Sequence, residues 1–352
     1  MRIVRAALIA TILSLPLIGT QLLAISAQDL PSAAAASSKQ VVDMAGRKVS
    51  LPKQINRIVT VGAVPVLNSF IFAMGEGDKI ANGLPTSFSS SRYKYQARFA
   101  PALAAKPKLQ AGNSAPDLEE LLKLNPDVIF TMDLVTADSL SRRGMPTVFL
   151  SWRQPKDVME LMRLVGEVLN KPAMADKYVK YFEATLQSVS SIVARIPREQ
   201  RPRVLYCSLR RLTQDHLIAE WWIEAAGGIS VTNAGHRQME AFSFSPEHML
   251  LWNPDVLIVA SPDDLEQLKQ DERFSRLKAV QTHRVYVAPI GAHLWANRTS
   301  ELPLMLLWSA QKFYPIQCKN LDMVREMLIF YKRFFGYTMA EAEAKEILSG
   351  TF

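Results

Sequence analysis

Arginine, aromatic and histidine side chains gather in a few short loops between the apolar runs of this 352-residue chain. The stretches "SFSSSRYKYQ", "SWRQ", "SLRRLTQDH", "NAGHRQMEAFS" and "PIGAHLWANR" supply Arg92, Tyr93, Tyr95, Trp152, Arg153, Arg210, Arg211, His216, His236, Arg237, His293, Trp295 and Arg298. Guanidinium forks bind carboxylates and oxyanions through paired, charge-assisted hydrogen bonds. Aromatic rings stack on flat ligands, and phenol oxygens can meet a metal. The mixture suits an anionic metal chelate.

Histidine could also ligate a metal directly. All five histidines lie in the C-terminal part, at 216, 236, 248, 283 and 293. No HxH or HxxxH spacing joins them, so a protein-built site would need convergence in the fold. His293 is the favoured candidate because it follows the strand-like "VYVAPIG". His248 reads as a helix-face residue.

Enzymatic signatures are missing. The chain has no GxSxG elbow, no phosphate-binding GxxxxGK, no GxGxxG after a strand and no CxxC. Ser208, Asp215 and His216 are too close in sequence to face one reacting centre. Lys and Arg exceed Asp and Glu by eight, which favours anionic partners. They are scattered, without the basic stripe of a nucleic-acid binder.

The elements that must position these loops alternate between strand and helix. "VVDMAGRKVSLP" reads as a hairpin turning at Ala45-Gly46, "RIVTVGA" as a buried strand, and "VPVLNSFIFAMG" as a helix closed by Gly75. Lys156 to about Ile196 has helical periodicity and a single proline, Pro172. The strand–helix alternation restarts at "RVLYCSL". Ser300 is expected to cap the helix "SELPLMLLWSAQKFYP", with two further helices near 320–334 and 338–348. Alternation of this kind predicts parallel sheets.

One sentence is written twice. "LEELLKLNPDVIF" (118–130) and "PEHMLLWNPDVLI" (246–258) each read as a short helix, an Asn-Pro-Asp turn and a core strand. Proline after asparagine disfavours helix at the asparagine and forces an exit. Asp127 and Asp255 are placed to stabilise the turn. The duplication predicts two similar α/β lobes joined by a helical spine, with a ligand cleft between them.

With these segments in order, the chain resembles the class III (cluster A-I) periplasmic substrate-binding proteins of ABC importers, which handle siderophore-bound iron, haem and cobalamin. The resemblance covers nearly everything after residue 40 and rests on "DMAGRKVSLPKQINRIVTVG", "DLEELLKLNPDVIFTMD", "SPEHMLLWNPDVLIVAS" and "HRVYVAPIGAHLWANRTSELPLMLLWSAQKFYP". It implies a monomeric receptor that has no cofactor of its own and delivers a metal chelate to an inner-membrane permease and its ATPase. Ferric siderophore is the first expectation. Cobalamin, haem, a nickel chelate or an oxyanion such as molybdate are alternatives, and a chelatase-like enzyme would share the layout. The resemblance also gives Glu119 and Glu247, each six residues before its Asn-Pro-Asp, the role of meeting arginines on the permease.

The N-terminus reads as an export signal. Arg2 and Arg5 precede the apolar run "AALIATILSLPLIGTQLLAIS", which gives way to small residues. The expected division is a cleaved signal at 1–27, a spacer at 28–40, an N-terminal lobe at 41–153, a spine at 154–198 and a C-terminal lobe at 199–352. A periplasmic location follows from that signal. Cys207 reads as a small buried hydrophobe, and its pairing with Cys318 is left open.

Overall fold

The Asn-Pro-Asp turn folds alike in both copies. Each asparagine adopts a left-handed conformation, with φ of 43° at Asn125 and 41° at Asn253, and so ends its helix. The following aspartate then reaches the entrance of the neighbouring strand. Asp127 Oδ2 accepts from the backbone N–H groups of Asn56 (2.8 Å) and Arg57 (2.9 Å). Asp255 Oδ2 accepts from Arg203 N at 2.8 Å. The turn thus stops a helix and sets the register of two parallel strands.

The computed structural model describes residues 38–112, 115–214, 218–233 and 241–350. The signal segment, His216, His236 and Arg237 lie outside the described residues. A hairpin of β1 (Ser38–Val42) and β2 (Lys48–Pro52) opens the described chain. The first lobe contains β3 (Ile58–Val61), α1 (Val64–Ala73), α2 (Lys94–Phe99), α3 (Leu118–Leu124), β4 (Val128–Thr131), α4 (Leu134–Arg142) and β5 (Thr147–Phe149). Two helices follow, α5 (Pro155–Val168) and α6 (Pro172–Val193). The 22 residues of α6 span about 33 Å at the α-helical rise, the linking helix the sequence calls for.

The second lobe begins with β6 (Arg203–Cys207), β7 (Thr213–Gln214), α7 (Ile218–Ala225), β8 (Ile229–Ser230) and β9 (Phe242–Ser243). It continues with α8 (Pro246–Trp252), β10 (Val256–Val259), α9 (Pro262–Gln270), α10 (Lys278–Gln281) and β11 (Val285–Val287). Three helices, α11 (Leu302–Phe313), α12 (Met323–Phe330) and α13 (Glu341–Ser349), close the described chain.

The two sheets are built to one plan. The first runs β3-β4-β5 and is extended beyond β3 by a parallel bridge between Ile58 and Ile80. The second runs β8-β6-β10-β11, all parallel. Ile80 therefore stands where β8 stands, and β3, β4 and β5 correspond to β6, β10 and β11. Strands β3, β4 and β10 are buried along their whole length, which explains their unbroken apolar runs.

One apolar core runs through both lobes and the linking helix, including Phe70, Trp152, Tyr178, Phe182, Trp222, Trp295 and Trp308. Polar bonds stitch the lobes as well. Gln96 Nε2 donates to Ala292 O (2.6 Å), and Tyr178 donates to Ser300 O (2.6 Å). Ser300 does not cap its helix. Its N–H and hydroxyl bond Ser69 of α1 (3.1 and 2.8 Å), and Glu301 occupies the cap position. A buried serine facing another serine's hydroxyl and carbonyl satisfies more polar groups there than a cap would. Cys207 and Cys318 are buried in different apolar clusters. Among the described residues no helix is long and apolar enough to cross a membrane.

Candidate functional site

The carboxyl ends of β6 and β10 open onto a cavity of about 440 Å³ between the lobes. Ligands in open α/β sheets commonly sit at such strand ends. Arg92 and Tyr93 form the first-lobe wall. Ser208, Arg210, Arg211, Ala260, Ser261, Asp263, Asp264, His293, Leu294 and Asn297 form the rest.

The second-lobe wall is held by Asp264, which is 1% exposed. Its Oδ1 accepts from the backbone N–H groups of Leu209 (2.8 Å) and Arg210 (3.1 Å). Its Oδ2 accepts from Ser261 N (2.9 Å) and Ser261 Oγ (2.8 Å). The carboxylate therefore spends its lone pairs on the loop that presents Arg210 and Arg211. Arg210 also pairs with exposed Asp263 at 3.5 Å, a contact worth little in solvent. A ligand anion can compete for that guanidinium.

From the first lobe, Arg92 crosses the gap and donates through Nη2 to the carbonyl of Ala260. Its buried Nε–H has no hydrogen-bond partner among the described residues. Burial raises the Tyr93 hydroxyl above the usual tyrosine range, while the Arg92 and Arg211 guanidiniums pull it back. Tyr93 thus keeps its proton and can donate. Its ring meets His293 edge-on, with centroids 5.7 Å apart. His293 Nδ1 accepts from Leu294 N at 2.6 Å, which puts the ring proton on Nε2. Three cationic forks and several neutral donors line one cavity. The carboxylates of Asp263 and Asp264 share that wall, Asp264 with its oxygens already bonded to the loop.

The structure sorts the sequence candidates. It brings Arg92, Tyr93, Arg210 and His293 together. Trp152 and Trp295 are 1% and 0% exposed and belong to the core, with Trp152 edge-on to Phe70 at 5.0 Å. A ring enclosed on all sides presents no face to a ligand. Tyr95 is also buried, and its hydroxyl donates to Glu346 Oε2 (2.7 Å) on α13. It lies two residues past Tyr93, which turns it to the opposite side of the helix and into the core. Arg153 is exposed at the start of α5, where its backbone N–H meets Asp157 (2.8 Å), and does not line this cavity. Half-buried Arg298 does not line it either.

Reading residue types alone missed Ser208, Ser261, Asp264 and Asn297. A signal for two of them was present: "SPDD" at 261–264 is a capping box, with Ser261 at the cap and Asp264 three residues on. Among the described residues, no group of three or more His, Cys, Asp or Glu side chains could hold a metal ion.

Glu119 and Glu247 stand at the second position of α3 and α8, with side chains 80% and 72% exposed. Neither lines the cavity. The residues two further along, Leu121 and Met249, are both fully buried and fix the two helices in the same orientation on their sheets.

Comparison with known proteins gives this geometry a family. Residues 72–290 match the model of the periplasmic binding proteins. The chain belongs to that family. Its members are binding components of transport and not enzymes, and this one has the bilobal, helix-linked fold of class III. A periplasmic solute-binding protein from Veillonella parvula is 28% identical, with TM-score 0.76 over 88% of this chain and 97% of that one. The molybdate-bound MolA structure from Haemophilus influenzae has TM-score 0.75 at 23% identity, over 86% of this chain and 99% of that one. An ABC transporter solute-binding protein from Sulfurospirillum deleyianum gives 0.73 at 25% identity, over 88% and 98%.

Proposed function

We propose that this chain is the periplasmic receptor of an ABC importer and that it carries a compact oxyanion of the molybdate class. The observation behind this reading is the convergence of Arg92, Arg210 and Arg211 on a cavity of about 440 Å³. A planar chelate such as haem would find only the small Tyr93 and His293 rings in this wall, since Trp152 and Trp295 are in the core. A small tetrahedral anion needs only converging donors, and Tyr93, Ser208, His293 and Asn297 add to the arginines. The likeness to MolA, a molybdate-binding protein by name, supports the same choice. The ferric siderophore expected from the sequence has no comparable support in this wall.

Delivery is assigned to Glu119 and Glu247, one exposed carboxylate per lobe, meeting cations on an inner-membrane permease. Export through a cleaved N-terminal signal completes the proposal. Calorimetry of the mature chain with molybdate, tungstate, sulfate and a ferric catecholate tests the ligand assignment. Saturable one-to-one binding of molybdate in preference to sulfate is expected, and binding of the ferric catecholate alone would replace this reading.

A further inference from the structure

A second cavity, of about 230 Å³, lies on the other side of Tyr93. Its apolar surface comes from Leu84, Ala97 and Leu103, and Phe88 and Tyr93 form the wall towards the cleft. Those two rings pack edge-to-face at 5.1 Å. Tyr93 therefore lines both cavities.

Two lysines stand at the mouth, and they differ. Lys94 is committed to the Glu346 carboxylate. Lys108 donates to Ser89 Oγ at 3.2 Å and has no carboxylate partner among the described residues. An ammonium carries three donors, so Lys108 held against Ser89 has donors left for an anion at the cavity mouth. Binding sites generally combine an apolar lining with a few placed polar groups, and those for drug-sized ligands start at about 300 Å³. This one is smaller.

We propose that this cavity is a second binding site, for a small monocarboxylic acid bearing a single apolar ring. The ring rests on Leu84, Ala97 and Leu103 beside Phe88 and Tyr93, and the carboxylate meets Lys108. The two sites share Tyr93 alone, so each assignment can be tested separately.

Benzoate is the probe, titrated calorimetrically into the mature chain, with benzyl alcohol as its uncharged analogue. Saturable benzoate binding is expected, with benzyl alcohol weaker. Lys108→Ala should weaken benzoate about tenfold, the loss of one charge-assisted contact near solvent. Ala97→Leu should abolish it by filling the floor. Both variants should bind molybdate within about twofold of the parent, a change well under one decade of affinity. The absence of saturable benzoate binding in the parent would overturn the proposal, as would unchanged benzoate affinity in Lys108→Ala, an exposed substitution that leaves the core intact. A chain that binds benzoate but not molybdate would keep this site and sink the oxyanion reading.

Discussion

Glu301 Oε1 accepts the hydroxyl of Tyr331 at 2.5 Å, joining the His293 loop to the C-terminal helical layer. The same carboxylate accepts from Ala292 N (2.8 Å), His293 N (3.2 Å) and Thr299 Oγ1 (2.9 Å). It is completely buried and has no cation beside it among the described residues. An added Cβ at Gly291 would overlap Glu301 Oε1 and the Tyr331 hydroxyl, so the loop fits only with glycine there.

The first prediction concerns pH. Burial pushes the Glu301 carboxyl above the usual glutamate range, against four donors that pull it down. Between about pH 4.3, the unfolded value, and its raised folded value, the native state holds the extra proton. Stability from this group is therefore full below about pH 4.3 and is lost as pH rises through the folded value. Glu301→Gln cannot titrate and turns an N–H towards a backbone donor, which costs about 1–3 kcal/mol. Urea melts from acid to neutral pH should show the gap between parent and variant narrowing as pH rises. A constant gap would mean that the carboxyl titrates normally.

The second prediction separates core from site. Trp295→Ala should destabilise by about 3–5 kcal/mol, the cost of emptying a large buried aromatic. Molybdate affinity of the fraction that remains folded should change little. Thermal melts and calorimetry on one sample distinguish this from the selective affinity loss of a stacking residue.

The third prediction addresses the cationic wall. Arg211→Ala removes a guanidinium that faces Tyr93 across the cavity. A charge-assisted bond is worth about 1.5–3 kcal/mol, so molybdate Kd should rise about tenfold to a hundredfold. Arg153→Ala and Tyr95→Phe lie off the cavity and should leave Kd unchanged. Equal losses in all three variants would show that the anion sits elsewhere.

What was legible in the sequence followed backbone chemistry. "NPD" encodes a helix stop and a strand register through one left-handed asparagine and one aspartate, so the two lobes and their correspondence could be read directly. The cavity wall was harder. Tyr93 and Tyr95 are two residues apart, and only the turn of the backbone there sends one to the cleft and the other to Glu346. Trp295 lies in the right loop, but its indole points inward because Glu301 curls residues 291–299 around its own carboxylate. Asp264 could be read as a helix cap, though its second task of holding the Arg210 backbone across 54 residues could not.

The last prediction concerns docking. Glu119 and Glu247 each have a cation close by, Lys123 at 2.9 Å and Arg273 at 3.5 Å. Hydrogen bonds to Glu120 and Glu119 raise the Lys123 ammonium above the usual lysine range, so it stays charged. These pairs are exposed and screened by solvent, so a permease cation can replace the internal partner at little cost. Two such exchanges on separate lobes fix orientation as well as attraction. Reversing both charges, Glu119→Lys with Glu247→Lys, places like charges against the permease and should reduce molybdate uptake by cells about tenfold or more, since one decade needs only about 1.4 kcal/mol. Calorimetric affinity of the purified double variant should stay within about twofold, because neither carboxylate touches the cavity. Each single reversal should fall between parent and double variant. Normal uptake by the double variant would remove both glutamates from the docking surface, and a parallel loss of ligand affinity would move them into the binding site.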